Sequence, residues 1–420
     1  GSTDGNFIGK GYLQAQKTVN AGGDRGDANI ILGRFAGCCH DGGSYNVYLG
    51  DQAGRKGTGS NTDRNVFIGC QAGCGNTTGY HNVFLGSETG KGICGDSGSM
   101  NLFAGLQAGM RNTGCYNIAF GKASYGRETG TKNISIGYMA ANDVGAGGTS
   151  NVFIGDCAGY NAQVNGPPFR GGMSNVYLGT AAGYQNPGDF NIGIGDNSLN
   201  GNSSVSAGCR NIALGQCSGN DIQSGVDNIM LGSCAGAKIT TGSCNILLGY
   251  NSGCNATGSF RNVYVGTNIG KTVCGGAYDI SLGSSNLCEA KWACNNIAIG
   301  KNIFQKANCQ GPSADALFNI GIGDAVGTGL TTGGYNLMLG YLTGYCLTCA
   351  CDNIIFGKRA GWKASESTKN IFIGCYAGRS QVSAGCAGQA NIAIGNLAGS
   401  QTSSTSDRNI FIGNSAGAQA

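Results

Sequence analysis

The chain has 420 residues, with 80 Gly, 21 Cys, 4 Pro and 2 His, and charged residues make up only 11% of it. A net charge of +4 without a basic run is too weak to argue for nucleic acid, and no apolar stretch approaches membrane-spanning length. Two histidines, no clustered carboxylates and no Ser-His-Asp pattern leave catalysis without material, so no enzyme, catalytic residue or cofactor is expected.

Residues 1–28 read as a degenerate N-terminal coil around Asn6-Phe7-Ile8-Gly9, behind an opening Gly1-Ser2-Thr3-Asp4 in which no signal peptide is visible. From Asn29 a pattern takes over: Asn, aliphatic, any residue, aliphatic, Gly. Examples are Asn29-Ile30-Ile31-Leu32-Gly33, Asn65-Val66-Phe67-Ile68-Gly69, Asn151-Val152-Phe153-Ile154-Gly155 and Asn409-Ile410-Phe411-Ile412-Gly413. It occurs 22 times, with Asp279 the only replacement at the first position. Successive copies lie mostly 16 to 18 residues apart, as in Asn211, Asn228, Asn245, Asn262, Asp279 and Asn296. Longer steps at 151→175, 296→319 and 370→391 carry Gly, Ser, Asn and Pro, which marks them as loop insertions.

Seventeen residues are too few for a helix pair or a propeller blade, but suit one coil of a parallel β-solenoid with two short strands and two turns. The predicted fold is therefore all-β: a β-roll of 22–23 coils running continuously over 29–420, about 100 Å long if coils stack at strand spacing. Within each strand the second and fourth residues point one way and the third points the other. All 22 second residues are Ile, Val or Leu, and that strictness reads as a buried core column. The third residue reads as a second packing face, inside the coil or between chains. Tyr48, Phe67, Phe84 and Phe103 make an aromatic stripe there and are nominated as an interface. A sugar-binding ladder is the rival reading. The Asn is expected to hydrogen-bond to the coil above or below, and Asp279 is expected to interrupt that ladder. The small residue and Gly that follow, as in Gln52-Ala53-Gly54 and Cys234-Ala235-Gly236, suit a tight corner.

The Asn-x-x-x-Gly strand followed by a small residue resembles the parallel β-roll of YadA-like head domains in trimeric autotransporter adhesins. It is as close to the NVFIGxxAG repeats of phage and virus tail-fibre-like proteins. The resemblance covers residues 29–417. It implies a homotrimer at a cell or virion surface, with cell-surface glycan as a target, while open solenoid ends, which expose unpaired backbone, make a head-to-tail filament the other expected assembly. Cysteine is more abundant here than in that family. The expected function is a structural fibre subunit, and the alternative is a glycan-binding adhesin. Neither nucleic acid nor membrane insertion is expected.

Cys217 and Cys234 occupy one position in adjacent coils, within disulfide reach if coils stack. Cys244 and Cys254 flank one coil, as do Cys288 and Cys294 over a shorter span. These six are candidate disulfide partners, with buried thiols as the rival reading. Cys346, Cys349 and Cys351 lack a nearby fourth ligand, so no metal site is expected. Glycosylation motifs stand at Asn76, Asn202 and Asn255, and at Asn133 within a strand. The insertions 160–174 and 301–318 are candidate contact loops.

Overall fold

The structure is a computed structural model. It describes residues 28–38, 43–56, 62–92, 98–126, 129–143, 147–162, 172–201, 208–307, 317–379, 388–400 and 407–418. The degenerate coil predicted at 1–28 lies outside them except for Ala28. So do Asn202 and the central parts of both insertions, 163–171 and 308–316.

Every strand falls on a predicted repeat, and no helix occurs among the described residues. The chain divides into two compact units, Gly1–Arg210 and Asn211–Ala420. The first holds strands from Ile30–Leu32 to Ile192–Ile194, and the second holds strands from Ile212–Leu214 to Ile410–Ile412. Within each unit successive strands pair in parallel, position on position. In the first, Val47, Tyr48 and Leu49 pair with Val66, Phe67 and Ile68. In the second, Ile229, Met230 and Leu231 pair with Ile246, Leu247 and Leu248. The unit is thus a stack of coils whose repeat register is set by the Asn and Gly that bracket each strand.

Each coil contributes one strand rather than the expected two. The far side is built of turn residues, joined coil to coil by single backbone bonds such as Gly54 N–H to Ala72 O at 2.9 Å and Gly90 N–H to Ala108 O at 2.8 Å. Isolated parallel bridges such as Ala277 to Cys294 are as close as that side comes to a second sheet. Turn backbone wins there because left-handed residues recur too often for an extended run. Gln52 has φ 58° and Gly54 has φ 62°, and the same two positions repeat along the stack.

The Gly that closes each strand is required twice over. Gly50 has φ 138°, and a Cβ on it would lie 2.5 Å from the carbonyl oxygen of Gly69 in the next coil. Any side chain there would both strain the backbone and push the coils apart.

The interior corrects the sequence reading. It is the third strand residue, not the second and fourth, that points inward. Tyr48, Phe67, Phe84 and Phe103 are 1–3% exposed. Their rings stack at 4.8–5.2 Å. The second and fourth residues are half-exposed throughout. The coil is so narrow that one side chain from the strand fills it.

That side chain is matched by the residue six positions later. Where the strand supplies a ring, the corner is Gly, and a Cβ on Gly73 would lie 2.4 Å from the Phe67 ring. Where the strand supplies Ala119 or Gly193, the corner supplies Tyr125 or Leu199 instead, both buried. The second unit does the same with Ser281 and Leu287 and with Ala298 and Phe304. In these four coils the residue that fills the interior changes place, whereas Ser135 with Ala141, Ala213 with Gly219, Gly321 with Gly327 and Ala393 with Gly399 are small at both positions.

Candidate assembly surface

The strand's outward face is assembled from four columns. At its centre run the second and fourth strand residues, Ile, Val or Leu in nearly every coil, with Ala104, Phe120 and Phe356 the departures at the fourth. Their neighbours in the stack bury part of each, and 36–41% of Ile68, Leu85, Ile136, Ile154, Ile229, Ile246, Ile280 and Ile354 stays exposed. Each unit therefore presents on the order of 1,000 Å² of contiguous aliphatic surface, against the few hundred Å² usual on a monomer. Strand propensity alone does not explain this choice. Thr is equally β-branched and would suit a wet face, yet it stands at neither column in any of the 22 copies.

One flanking column is the residue before the Asn. It carries exposed Tyr45, Arg64, Tyr116, Phe190, Arg261, Tyr278, Phe318 and Tyr335. These residues hold left-handed backbone, with φ 61° at Tyr45 and 56° at Arg64. Such a conformation costs about 1–2 kcal/mol for a residue with a Cβ. It is partly offset by contacts along the column, where Arg64 lies 5.6 Å over the Tyr45 ring and Phe318 stacks on Tyr335 at 5.2 Å. On the other side runs the residue after the Gly, where Arg34 and Asp51 form an exposed ion pair at 3.1 Å. An apolar centre with aromatic and Arg edges has the make-up of a protein interface.

Behind this face the Asn residues form the expected ladder. Each side-chain oxygen accepts the backbone N–H of the next Asn, as in Asn65 to Asn46 at 2.8 Å and Asn353 to Asn336 at 3.1 Å. Each side-chain NH₂ also braces its own coil by donating to a carbonyl near the coil's end, Gly79 O for Asn65 and Ser367 O for Asn353. The Asn amide supplies an acceptor and a donor on separate atoms, so one side chain serves both bonds.

Asp279 does not break the ladder as expected. Its N–H donates to Asn262 at 2.9 Å, and its Oδ1 accepts both the N–H and the NH₂ of Asn296. Its Oδ2 meets the Tyr264 hydroxyl at 3.4 Å. Burial pushes its carboxyl up to about 7, against the hydrogen bonds from Asn296 and Tyr264 that favour the ionised form.

The nominated residues separate as follows. Tyr48, Phe67, Phe84 and Phe103 lie inside the coil, so they form no surface stripe and cannot hold a sugar or a partner chain. Cys217 and Cys234 do share one left-handed corner position in successive coils, φ 53° and 57°. No disulfide joins any two of the seventeen described cysteines, Cys244, Cys254, Cys288 and Cys294 included. Burial raises the thiols of Cys254 and Cys288, which lowers their thiolate fraction. Asn76 is 7% exposed and its oxygen accepts the N–H of Gly79 at 2.8 Å, so a glycan has no access in this conformation. Asn133 is a buried member of the ladder. Asn255 is half-buried. Among the described residues no group of three His, Cys, Asp or Glu could hold a metal, and no helix is long and apolar enough to cross a membrane. Cys349 and Cys351 line a cleft of about 390 Å³ with Leu317, Thr332 and Tyr335.

No protein family, curated protein or solved structure matches the chain. The internal copies supply the comparison: the Gly and the buried Asn vary least, and the outward columns stay aliphatic in nearly every copy while the inward third residue ranges from Gly to Tyr.

Proposed function

We propose that this chain is a structural subunit of an extracellular or virion-surface fibre, in which several copies assemble side by side by covering the aliphatic face. The observation that carries the reading is the contrast between columns. The residues of the buried inward column vary from Gly to Tyr, whereas the half-exposed columns stay Ile, Val or Leu from Ile30 to Ile412 except at Ala104, Phe120 and Phe356. Uniformity on a surface implies a uniform partner, and a stack of identical spacing is supplied by another copy of the chain. The partner is then self, as a homotrimer or a filament. The resemblance to YadA-like heads and to tail-fibre repeats points the same way.

In this role the repeat acts mechanically. Backbone bonds and the Asn ladder fix the rise from coil to coil, and the outward columns then meet in register over many coils. The glycan-binding alternative loses its aromatic stripe to the interior and retains only the loops. Electron microscopy of native, unreduced material tests the proposal. Rods or filaments with more than one chain in cross-section are expected. Separate single-chain rods at micromolar concentration would rule out a fibre held together by this face.

A further inference from the structure

The densest cationic stretch of the chain has no acidic counterpart within it to match. Residues 358–379 contain Lys358, Arg359, Lys363, Lys369 and Arg379 against Glu366 alone. The solenoid folds this stretch onto itself, because Arg359 and Tyr376 hold the same corner position in successive coils, as Trp362 and Arg379 do one corner later. Arg359 lies 5.1 Å from the centre of the Trp362 ring and 5.6 Å from that of Tyr376. Arg379 lies 5.4 and 4.9 Å from the same two rings. Lys363 adds a third cation 5.5 Å from Trp362.

Two guanidinium groups thus share two rings, and among the described residues neither they nor Lys363 meets a carboxylate. The rings offset part of the repulsion. A second observation points to a missing acceptor. The Arg359 Nε and the Trp362 Nε1 are buried donors without a hydrogen-bond partner. A buried unpaired donor is unfavourable, and it is rare in a native structure unless a water, a ligand or an ion completes it. Among the described residues the Arg359 side chain keeps the bond from its terminal nitrogen to the Tyr376 hydroxyl at 3.0 Å.

We propose that the corner formed by Arg359, Trp362, Tyr376 and Arg379 is a binding site for an oxyanion, a sulfate or phosphate group. Planar guanidinium forks suit the tetrahedral oxygens of such a group better than they suit chloride. The site is independent of whether the chain assembles, and the group could be a free ion or a substituent on a polymer.

The chain has two tryptophans, so a Trp292→Phe background leaves Trp362 as the sole indole reporter. Its fluorescence would be titrated with sodium sulfate, sodium phosphate and dextran sulfate at constant ionic strength, with sodium chloride as reference. A saturable change with sulfate or phosphate, absent with chloride, is expected. Arg359→Gln or Arg379→Gln should weaken it by about tenfold or more. Lys363→Gln, at an exposed side chain, serves if either Arg variant fails to fold, and it should weaken binding by a smaller factor. Response to inorganic ions and to dextran sulfate alike would mean the group itself is recognised. A response to dextran sulfate alone that either Arg variant abolishes would assign the group to a polymer, whereas a response shared with chloride, or one unchanged in the folded variants, would overturn the site.

Discussion

The coils around Tyr48–Phe103 in the first unit and those around Ser281–Gly321 in the second fill the same interior in opposite ways. In the first the strand supplies a ring and the corner is Gly. In the second the strand residue is Ser, Ala or Gly, and Leu287 or Phe304 enters from the corner. Phe304 even serves its neighbour, since a Cβ on Gly321 or Gly327 would lie 2.7–2.8 Å from its ring. The outward columns stay Ile, Val or Leu in both regions except at Ala104. Between these two regions the place of the filling residue is free to change, whereas the chemistry of the outward face is not.

Exchange of the two fillings breaks the comparison most strongly. Phe103→Ala should cost about 3–5 kcal/mol, because Gly109 cannot reach the space vacated. Gly193→Leu and Leu199→Gly should each destabilise alone, the first by overpacking and the second by a cavity. The double variant converts that coil to the first arrangement and should recover much of the combined loss. Denaturation of the full cycle measures this coupling, and simple additivity would count against volume exchange.

Asp279 sharpens the comparison by setting one ladder rung apart. Its folded pKa is raised above the ordinary carboxylate value, so the native state holds the proton more tightly than the unfolded chain. Its contribution is fully present below about pH 4 and is lost as pH rises towards about 7. Asp279→Asn should remove that slope and stabilise the protein by a few kcal/mol at neutral pH, read from melting temperature against pH. An unchanged slope would mean that Asp279 is ionised at little cost. An ordinary rung gives a smaller effect of opposite sign. Asn353→Ala removes the acceptor of Asn370 N–H and the donor to Ser367 O, and should cost about 1–3 kcal/mol at all pH values by the same melts.

Much of this molecule is legible from the chain alone. The period, the strand positions, the Asn ladder and the Gly that lets coils approach all follow from residue chemistry repeated in register. The direction of the strand does not. Ile, Val and Leu at the second and fourth positions read as core because strictness usually marks an interior, and the third position, interrupted by residues such as Ala213 and Ser281, reads only as a second packing face inside the coil or between chains. The missing signal is a correlation rather than a composition. In four coils a small residue at the third position coincides with a large one six residues later: Ala119 with Tyr125, Gly193 with Leu199, Ser281 with Leu287 and Ala298 with Phe304. The left-handed backbone at Tyr45, Arg64 and their equivalents has no local signature, because those residue types seldom form such turns. The Arg359–Arg379 corner was missed because its members are 20 residues apart and meet only through the stack.

The central claim is that the aliphatic columns face outward and are covered by another copy. Light scattering of size-fractionated protein tests it most directly, with Ile212, Ile229 and Ile246 together changed to Lys and, separately, Met230→Lys. The account predicts an oligomeric parent, a folded monomer with the three outward lysines, and loss of folding with the buried one. A monomeric parent, or outward lysines that unfold the chain as readily as Met230→Lys, would contradict it.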